Sequence, residues 1–278
     1  MASLQPVSVG ALSKLFVVPS GHRASLDKRQ SDFTLGYASE DEAKPLFKEN
    51  KEKIFELQRK FYADGTRALL VVLQGMDTAG KDGTIRHVFG GINLKGCEVT
   101  SFKAPNEEEK QHDFLWRIHE HIPPKGSIGI FHRSHYEDVL VPRVKNLVPE
   151  NIWQARYDQI NNFEKMLTEN GVIILKLFLH ISKDEQKQRI LKRIENETKH
   201  WKLDENDIKE RKFWNDYFKA YEDLISNCST EWAPWYVIPG DHKWFRNLVI
   251  SQIILDTLET MDLKYPKPSF DVNTINLD

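Results

Sequence analysis

The chain has 278 residues, of which 40% are hydrophobic and 29% charged, with a formal net charge of −2. This balance is typical of a soluble globular protein and excludes a general polyanion binder, so any basic groove must be local. No apolar stretch reaches the length of a membrane span, and the two cysteines, Cys97 and Cys228, lack a metal-ligand spacing. We therefore expect a cytoplasmic protein that binds neither membranes nor nucleic acid.

The elements are predicted to begin after an N-terminal arm, residues 1–38, and residues 39–278 are predicted to form one domain. Continuous apolar runs separated by amphipathic helices indicate an α/β fold, with a parallel five-stranded sheet covered on both faces and a helical lid. The predicted strands are 68–74, 98–103, 127–131, 172–180 and 235–239. The predicted helices are 41–61, 84–89, 107–120, 152–168, 182–195, 205–226 and 243–261.

A glycine-framed loop follows the first predicted strand. Gly75 and Gly80 are separated by four residues and Lys81 follows, which is the spacing of a phosphate-binding loop between a strand and a helix. In such loops backbone N–H groups, the helix N-terminus and the lysine bind phosphate oxygens. The alternative is a glycine-rich turn with a solvated lysine. The residues expected to contact phosphate or nucleotide here are Gly75, Met76, Thr78, Ala79, Gly80, Lys81, Asp82, Gly83 and Thr84.

The loop departs from the usual pattern at two positions. Asp82 stands where Ser or Thr usually supplies a hydroxyl to Mg²⁺, and Asp77 places a carboxylate inside an anion-binding loop. A carboxylate that faces phosphates makes sense chiefly with a bridging cation, so Asp77 is a candidate magnesium ligand. The alternative is that Asp77 shapes the loop as an Asx turn.

The segment after the predicted strand 127–131 is a second candidate site, because ligands gather at the carboxyl ends of parallel strands. Many phosphate-loop enzymes place an acidic metal ligand there, but this chain has His132, with Glu137 five residues later. The planar guanidinium of Arg133 suits phosphate oxygens. A surface loop with a helix-capping acid is the alternative interpretation.

Four further arginines and lysines are candidate phosphate ligands, and one of them is Arg117 in the predicted helix 107–120. Lys103 ends the second predicted strand and could equally be a solvated strand terminus. Arg189 and Arg193 lie four residues apart on one helix face that leads into a charged loop. Both lie in the segment of about 186–206, which is typical of the lid of a small phosphotransferase. An exposed, solvated helix is the alternative interpretation.

Seven blocks of sequence, in order, resemble the second family of polyphosphate kinases. They are QGMDTAGKDGTIR (74–86), SFKAP (101–105), HDFLWR (112–117), RSHYED (133–138), KHWK (199–202), APWY (233–236) and DHKW (241–244). The resemblance runs from about residue 19 to about residue 258, and so many ordered blocks are highly specific. The sequence of residues 133–141 most resembles that of the subgroup that acts on both nucleoside mono- and diphosphates.

The resemblance implies a thymidylate-kinase-like P-loop fold and Mg²⁺-dependent phosphoryl transfer between inorganic polyphosphate and AMP or ADP. Mn²⁺ is an alternative metal, guanine nucleotides are alternative substrates, and a homodimer or homotetramer is the expected assembly. The family's functional residues carry over to Asp77, Lys81, Arg133 and Arg193 as catalytic residues. Asp77 and Glu137 are the expected metal ligands, since the family usually has Asp or Asn where this chain has His132, and imidazole is a poor Mg²⁺ ligand.

A phosphate oxygen is already ionised at neutral pH, so the transfer needs charge neutralisation and positioning rather than a general base. A long polyanion would also need a track of cations. The candidates are His22, Arg23, Lys28, Lys103, Arg117, Arg143 and Lys145. Two rival hypotheses are an ATP-dependent nucleoside monophosphate kinase and a non-catalytic sensor of nucleotide or polyphosphate. The missing loop hydroxyl argues against the first and the cationic lid against the second.

Overall fold

The computed structural model describes residues 11–276 and contains a mixed sheet. Its strands are β1 (Val17–Val18), β2 (Ala68–Gln74), β3 (Cys97–Ser101), β4 (Ile128–His132), β5 (Val172–His180) and β6 (Trp235–Pro239). The order across the sheet is β1-β6-β5-β2-β4-β3. All pairings among β2 to β6 are parallel, whereas β1 pairs with β6 in the antiparallel direction.

Helices cover the sheet and connect its strands. They are α1 (Ala11–Phe16), α2 (Glu40–Asp64), α3 (Lys81–Val88), α4 (Trp116–His119), α5 (Glu137–Val144), α6 (Glu150–Glu169), α7 (Lys183–Ile194), α8 (Glu205–Glu210), α9 (Trp214–Cys228) and α10 (Lys243–Glu259). The predicted α/β fold is confirmed. Within residues 11–276, none of these helices is both long and apolar enough to cross a bilayer.

The sheet has one strand more than predicted. The five predicted parallel strands are present, and three of them, β2, β5 and β6, have the predicted bounds. The prediction missed β1 because a two-residue strand carries no alternating pattern. This strand belongs to the predicted arm, whose residues 1–10 lie outside the described part of the chain. Residues 11–38 include a buried Leu26 and an Arg23 side chain that donates to Glu222 Oε1 at 2.9 Å through its Nε.

Two predicted helices are wrong in extent, and two helices, α1 in the predicted arm and α5, were missed. The predicted helix 107–120 is replaced by a 3-10 turn, Glu109–Gln111, and the short α4. Asp113 Oδ1 accepts from the backbone N–H of Leu115 at 3.0 Å, which holds a turn between them. The predicted helix 205–226 is divided into α8 and α9 by a 3-10 turn, Arg211–Phe213. Helix α5 was missed because it holds Pro142 and is only eight residues long.

Strand β2 is buried along its whole length and lies between β5 and β4, so the loop that follows it starts from the centre of the sheet.

A buried ionic cluster lies beside the sheet. Lys176 Nζ on β5 donates to Glu164 Oε2 at 2.6 Å and to Tyr136 OH at 2.9 Å, and Tyr136 OH donates to Glu164 Oε1 at 2.8 Å. These contacts tie α6 to the turn between β4 and α5, which carries candidate site residues.

Candidate active site

The predicted phosphate loop joins β2 to α3. Gly75, Thr78 and Gly80 have φ angles of 151°, 64° and 106°, a backbone path that glycine adopts at low cost. A Cβ atom at Gly75 would lie 2.8 Å from the carbonyl oxygen of Leu179, so β5 also requires glycine there. Lys81 opens α3 and is buried, and its Nζ donates to Gly75 O at 2.7 Å. Burial, and then the nearby Arg133, lower the pKa of Lys81.

Arg133 reaches across to this loop from the end of β4. Its φ of 63° lies in the left-handed region, which turns the chain immediately after the strand. Arg133 Nη2 donates to Asp77 Oδ1 at 2.7 Å. Burial alone would lower the pKa of Arg133, but the carboxylates of Glu137 and Asp77 outweigh it and raise the pKa. The structure therefore brings together the two residues that sequence reasoning had placed at different strand ends.

Glu137 is the first residue of α5 and is partly buried. Burial raises the pKa of its carboxyl group, while Arg133 and Lys81 oppose that shift. With the amide of Gln74 oriented to satisfy its neighbours, its nitrogen donates to Glu137 Oε1 at 3.0 Å and its oxygen accepts from Ser134 Oγ at 3.1 Å. Gln74 is fully buried at the end of β2, and sequence analysis missed it because only the fold brings it to Glu137.

Two cavities meet at the Asp77–Arg133 ion pair. The larger has a volume of about 620 Å³ and combines charged groups with apolar and aromatic side chains, including Val141, Trp214 and Tyr217. The smaller has a volume of about 420 Å³ and is lined mainly by the phosphate loop and the lid. Asp77 and Arg133 line both cavities. A phosphoryl group at this junction could therefore pass between ligands bound on the two sides.

The remaining loop residues line one of the two cavities or lie behind them. Thr78, Gly80, Lys81 and Asp82 line the smaller cavity, while Gly75 and Met76 line the larger. Ala79 is fully buried, Gly83 is partly buried, and both lie close to Arg246. The hydroxyl oxygens of Thr78 and Thr84 are buried, and neither has a hydrogen-bond partner within residues 11–276.

His132 contacts Asp82, the loop residue that stands where Ser or Thr is usual. Its Nε2 lies 3.3 Å from Asp82 Oδ1, and both residues line the smaller cavity. The hydrogen bond from His132 lowers the pKa of Asp82 to about 2. The two positions where phosphate-loop enzymes usually hold Mg²⁺, the residue after the loop lysine and the strand end, thus contact each other in this chain.

The two predicted lid arginines differ in their surroundings. Arg193 is partly exposed and lines the smaller cavity, and its Nη1 donates to Lys202 O at 3.1 Å. Arg189 is buried and makes five hydrogen bonds, to Glu185 and to backbone carbonyl groups. These bonds use its guanidinium donors, which argues against the direct phosphate contact that the sequence predicted.

Lys103 and Arg117 both line the larger cavity, but only Lys103 is exposed. Arg117 is buried and donates to Lys103 O at 2.8 Å and to Asp138 Oδ2 at 3.1 Å. Most of the arginines and lysines proposed as a polyphosphate track are likewise paired with carboxylates. The pairs are Arg23 with Glu222, Arg117 with Asp138, Arg143 with Asp223, and Lys145 with Glu210. The cations around the smaller cavity, Lys81, Arg133, Arg193 and Lys202, offer a more compact anion site.

Asp77 and Glu137 both line the larger cavity and could hold a metal ion. Within the described residues, no cluster of three or more His, Cys, Asp and Glu side chains could hold a metal by itself. Two carboxylates fit Mg²⁺, because this ion keeps several waters and is usually bound by one or two carboxylates together with phosphate oxygens. The donor set therefore fits a metal that arrives with, or is completed by, a phosphate ligand.

Comparison with known proteins gives one consistent family. The family described as polyphosphate kinase 2 matches residues 37–266. The chain is 53% identical over 216 residues to an AMP/ADP-polyphosphate phosphotransferase of Meiothermus ruber, which covers 78% of this chain and 81% of that protein. It is 42% identical over 267 residues to an ADP-polyphosphate phosphotransferase of Rhodopseudomonas palustris, which covers 92% of each.

Solved structures agree with these sequence relatives. A crystal structure of polyphosphate kinase 2 from Arthrobacter aurescens superposes with a TM-score of 0.90 at 42% identity, over 94% of each chain. A polyphosphate kinase 2 structure from Pseudomonas aeruginosa, described as putative, superposes with a TM-score of 0.79 at 32% identity, over 84% of this chain and 50% of that one.

Proposed function

This chain belongs to the polyphosphate kinase 2 family, and we propose that the junction at Asp77 and Arg133 is where it transfers phosphoryl groups between polyphosphate and AMP or ADP. It is a polyphosphate-dependent nucleotide kinase. The observation that carries the assignment of the site is the ion pair of 2.7 Å that lines two cavities at once. One cavity has the apolar and aromatic lining that suits a nucleoside, and the other is lined by cations.

Catalysis at this junction would depend on charge and position. The nucleophile is an ionised phosphate oxygen, so no side chain has to remove a proton. Lys81, Arg133 and Arg193 neutralise charge on the transferring group, and the backbone N–H groups of the loop orient it. Helix α7 carries Arg193 to the cavity, so the 186–206 segment acts as the lid.

Magnesium is the metal we propose for this site, with Mn²⁺ as a substitute. Asp77 and Glu137 would hold it, and phosphate oxygens and water would complete its coordination. A metal held there would supply positive charge that neutralises the phosphate oxygens. The fully buried Gln74 then orients the Glu137 carboxylate from behind.

We propose a cytoplasmic location, a homodimer or homotetramer, and guanine nucleotides as secondary substrates. The two cysteines are both free in the structure, which fits a reducing compartment. Size-exclusion chromatography with light scattering would measure the number of subunits in the assembly. Activity assays with GMP and GDP beside AMP and ADP would measure the preference for the base.

The experiment that tests the function is product analysis with AMP or ADP, long-chain polyphosphate and Mg²⁺, beside an ATP-plus-AMP control. ADP and ATP that form only with polyphosphate would support the proposal and show whether both steps occur. Turnover only with ATP plus AMP would identify a conventional nucleotide kinase. Binding without turnover in either reaction would identify a sensor.

A further inference from the structure

Three consecutive carbonyl groups of the phosphate loop accept hydrogen bonds from side chains outside the loop. Helix α7 provides two of these side chains and helix α10 provides the third. The hydrogen bonds are Gln186 Nε2 to Asp77 O (2.9 Å), Arg189 Nη1 to Thr78 O (3.0 Å) and Ala79 O (2.8 Å), and Arg246 Nη1 to Ala79 O (3.1 Å). Two helices that are distant in sequence therefore determine the direction of successive peptide groups in the loop.

The geometry of a trans peptide determines what these bonds do on the other side of the loop. The described chain has no cis peptide bond, and in a trans peptide the C=O and the following N–H point in opposite directions. Because Asp77 O and Ala79 O point toward the helices, the N–H groups of Thr78 and Gly80 point away from them. Thr78 and Gly80 both line the smaller cavity, so these donors are turned toward an anion held there.

Arg246 has an unusual environment for a charged side chain. It is 1% exposed, and within residues 11–276 its hydrogen bonds go only to neutral acceptors, Ala79 O and Asn247 Oδ1. Burial, and then the neighbouring Arg189, lower the pKa of Arg246. A buried charge without an opposite charge beside it is costly. A cation directly behind an anion-binding loop gains a compensating partner when the anion binds in front.

Gly80 fits the same arrangement. A Cβ atom at Gly80 would collide with Arg246 Nη1, so a side chain at this position would displace the guanidinium from the loop. Glycine at position 80 therefore does more than permit the φ of 106°. It also permits the close approach of α10.

We propose that Gln186, Arg189 and Arg246 are positioning residues that turn the loop N–H groups toward the phosphate chain and hold positive charge behind them. This proposal rests on the proposed function. Arg189, which the sequence suggested as a phosphate ligand, acts through the loop backbone instead. Arg193, one helical turn further along α7, is the lid arginine that lines the cavity.

The test compares Arg246→Lys and Asn247→Ala with a control, Arg29→Lys. The lysine keeps the charge but lacks the guanidinium that spans Ala79 O and Asn247 Oδ1. Asn247→Ala leaves Arg246 in place but removes the acceptor that orients it at 2.9 Å. Arg29 is a partly buried arginine that likewise donates to backbone carbonyls, Ala24 O and Val17 O, but in the N-terminal segment.

The readouts are the Kd for tripolyphosphate by calorimetry, with Mg²⁺ present and at a temperature where every variant is folded, and the Tm of each unliganded protein. We expect the Kd to rise at least ten-fold in Arg246→Lys and several-fold in Asn247→Ala, and to stay within two-fold in Arg29→Lys. A purely structural role would lower Tm but leave the Kd unchanged, and that result in both site variants would overturn the proposal. If Arg246→Lys does not fold, Asn247→Ala decides. Failure of the wild type to bind tripolyphosphate or use polyphosphate would instead overturn the proposed function.

Discussion

Arg133 Nη2 lies 2.7 Å from Asp77 Oδ1, so the end of β4 and the phosphate loop are joined at the point where the two cavities meet. The pair places a cation and a carboxylate on the expected path of the phosphoryl group. A metal ion held by Asp77 would compete with Arg133 for the same oxygen atoms. Under the proposed metal site, the Asp77 carboxylate would therefore have two alternative partners, Arg133 and the metal ion.

Replacement of Asp77 by Asn should nearly abolish turnover while the fold survives. The change removes a proposed metal ligand and a partner of Arg133, and loss of one such electrostatic group lowers kcat by about 10²- to 10³-fold. The pair is partly exposed, and such pairs contribute only about 0–1 kcal/mol to stability, so Tm should change little. Steady-state kinetics at saturating Mg²⁺ measures the effect, with the exposed Asp41→Asn as control. Wild-type activity in the variant would refute the role of Asp77.

Glu137→Gln should make the protein more stable and less active. Because burial raises the pKa of Glu137 above its usual 4.5, the folded state binds this proton more tightly than the unfolded state does. Stability is therefore lost as the pH rises from 4.5 through the folded pKa, and the glutamine variant avoids that loss.

Thermal unfolding without metal, followed from pH 4 to pH 7, measures this effect. The variant and the wild type should have similar Tm values near pH 4, and the variant should be higher by about 2–4 °C near pH 7. Its kcat should fall at least ten-fold at every Mg²⁺ concentration. A lower Tm for the variant at pH 7 would show that the charged carboxylate stabilises the fold.

The sequence predicted the strands well because their signals are local. Strands β2 and β5 are continuous apolar runs bounded by turn residues, and their predicted bounds match the structure. The predicted helix 107–120 was wrong because its turns depend on contacts that no periodicity shows. One of these is the reciprocal pair in which Asn106 N donates to Glu109 Oε2 and Glu109 N donates to Asn106 Oδ1.

The loop residues of the site could also be predicted, since their spacing is itself the motif. The supporting residues could not. Gln74 looks like the end of a strand and Arg246 like one charge in an apolar helix, and only the packing of α10 brings Arg246 to the loop. For Arg189 the sequence indicated a cation near the site. The guanidinium points toward the loop backbone because of the position of α7, which the sequence does not show.

His132→Asp should increase the response of the protein to Mg²⁺. The variant would face the Asp82 carboxylate, now 3.3 Å from His132 Nε2, with a second carboxylate. The two like charges repel each other without a cation, and oxygen ligands suit Mg²⁺ better than imidazole does. We expect a lower Tm than the wild type in EDTA and a larger Mg²⁺-induced rise in Tm. His132→Asn is the neutral control, and equal Mg²⁺ responses in all three proteins would contradict this account.

The buried cluster under the β4–α5 turn should show strong coupling between Glu164 and Lys176. Both side chains are almost fully buried, and their charged atoms lie 2.6 Å apart. Burial alone would raise the pKa of Glu164, but Lys176 and His135 outweigh it and lower the pKa. The stabilisation from this carboxylate is therefore present above its usual pKa of 4.5 and is lost as the pH falls through the lower folded value.

Removal of one partner leaves the other charge buried and uncompensated. Glu164→Gln or Lys176→Met should each lower the free energy of unfolding by about 3–5 kcal/mol, and the double variant should recover at least half of the summed loss. Urea unfolding at pH 7 of the four proteins completes the double-mutant cycle. Additive losses would mean that the two charges act independently.

Loss of this cluster should also affect activity, because Tyr136 donates to Glu164 and directly precedes Glu137 in the chain. We expect the Glu137 carboxylate to be displaced in Glu164→Gln. Its kcat at saturating substrate should therefore fall even at temperatures where the variant is folded.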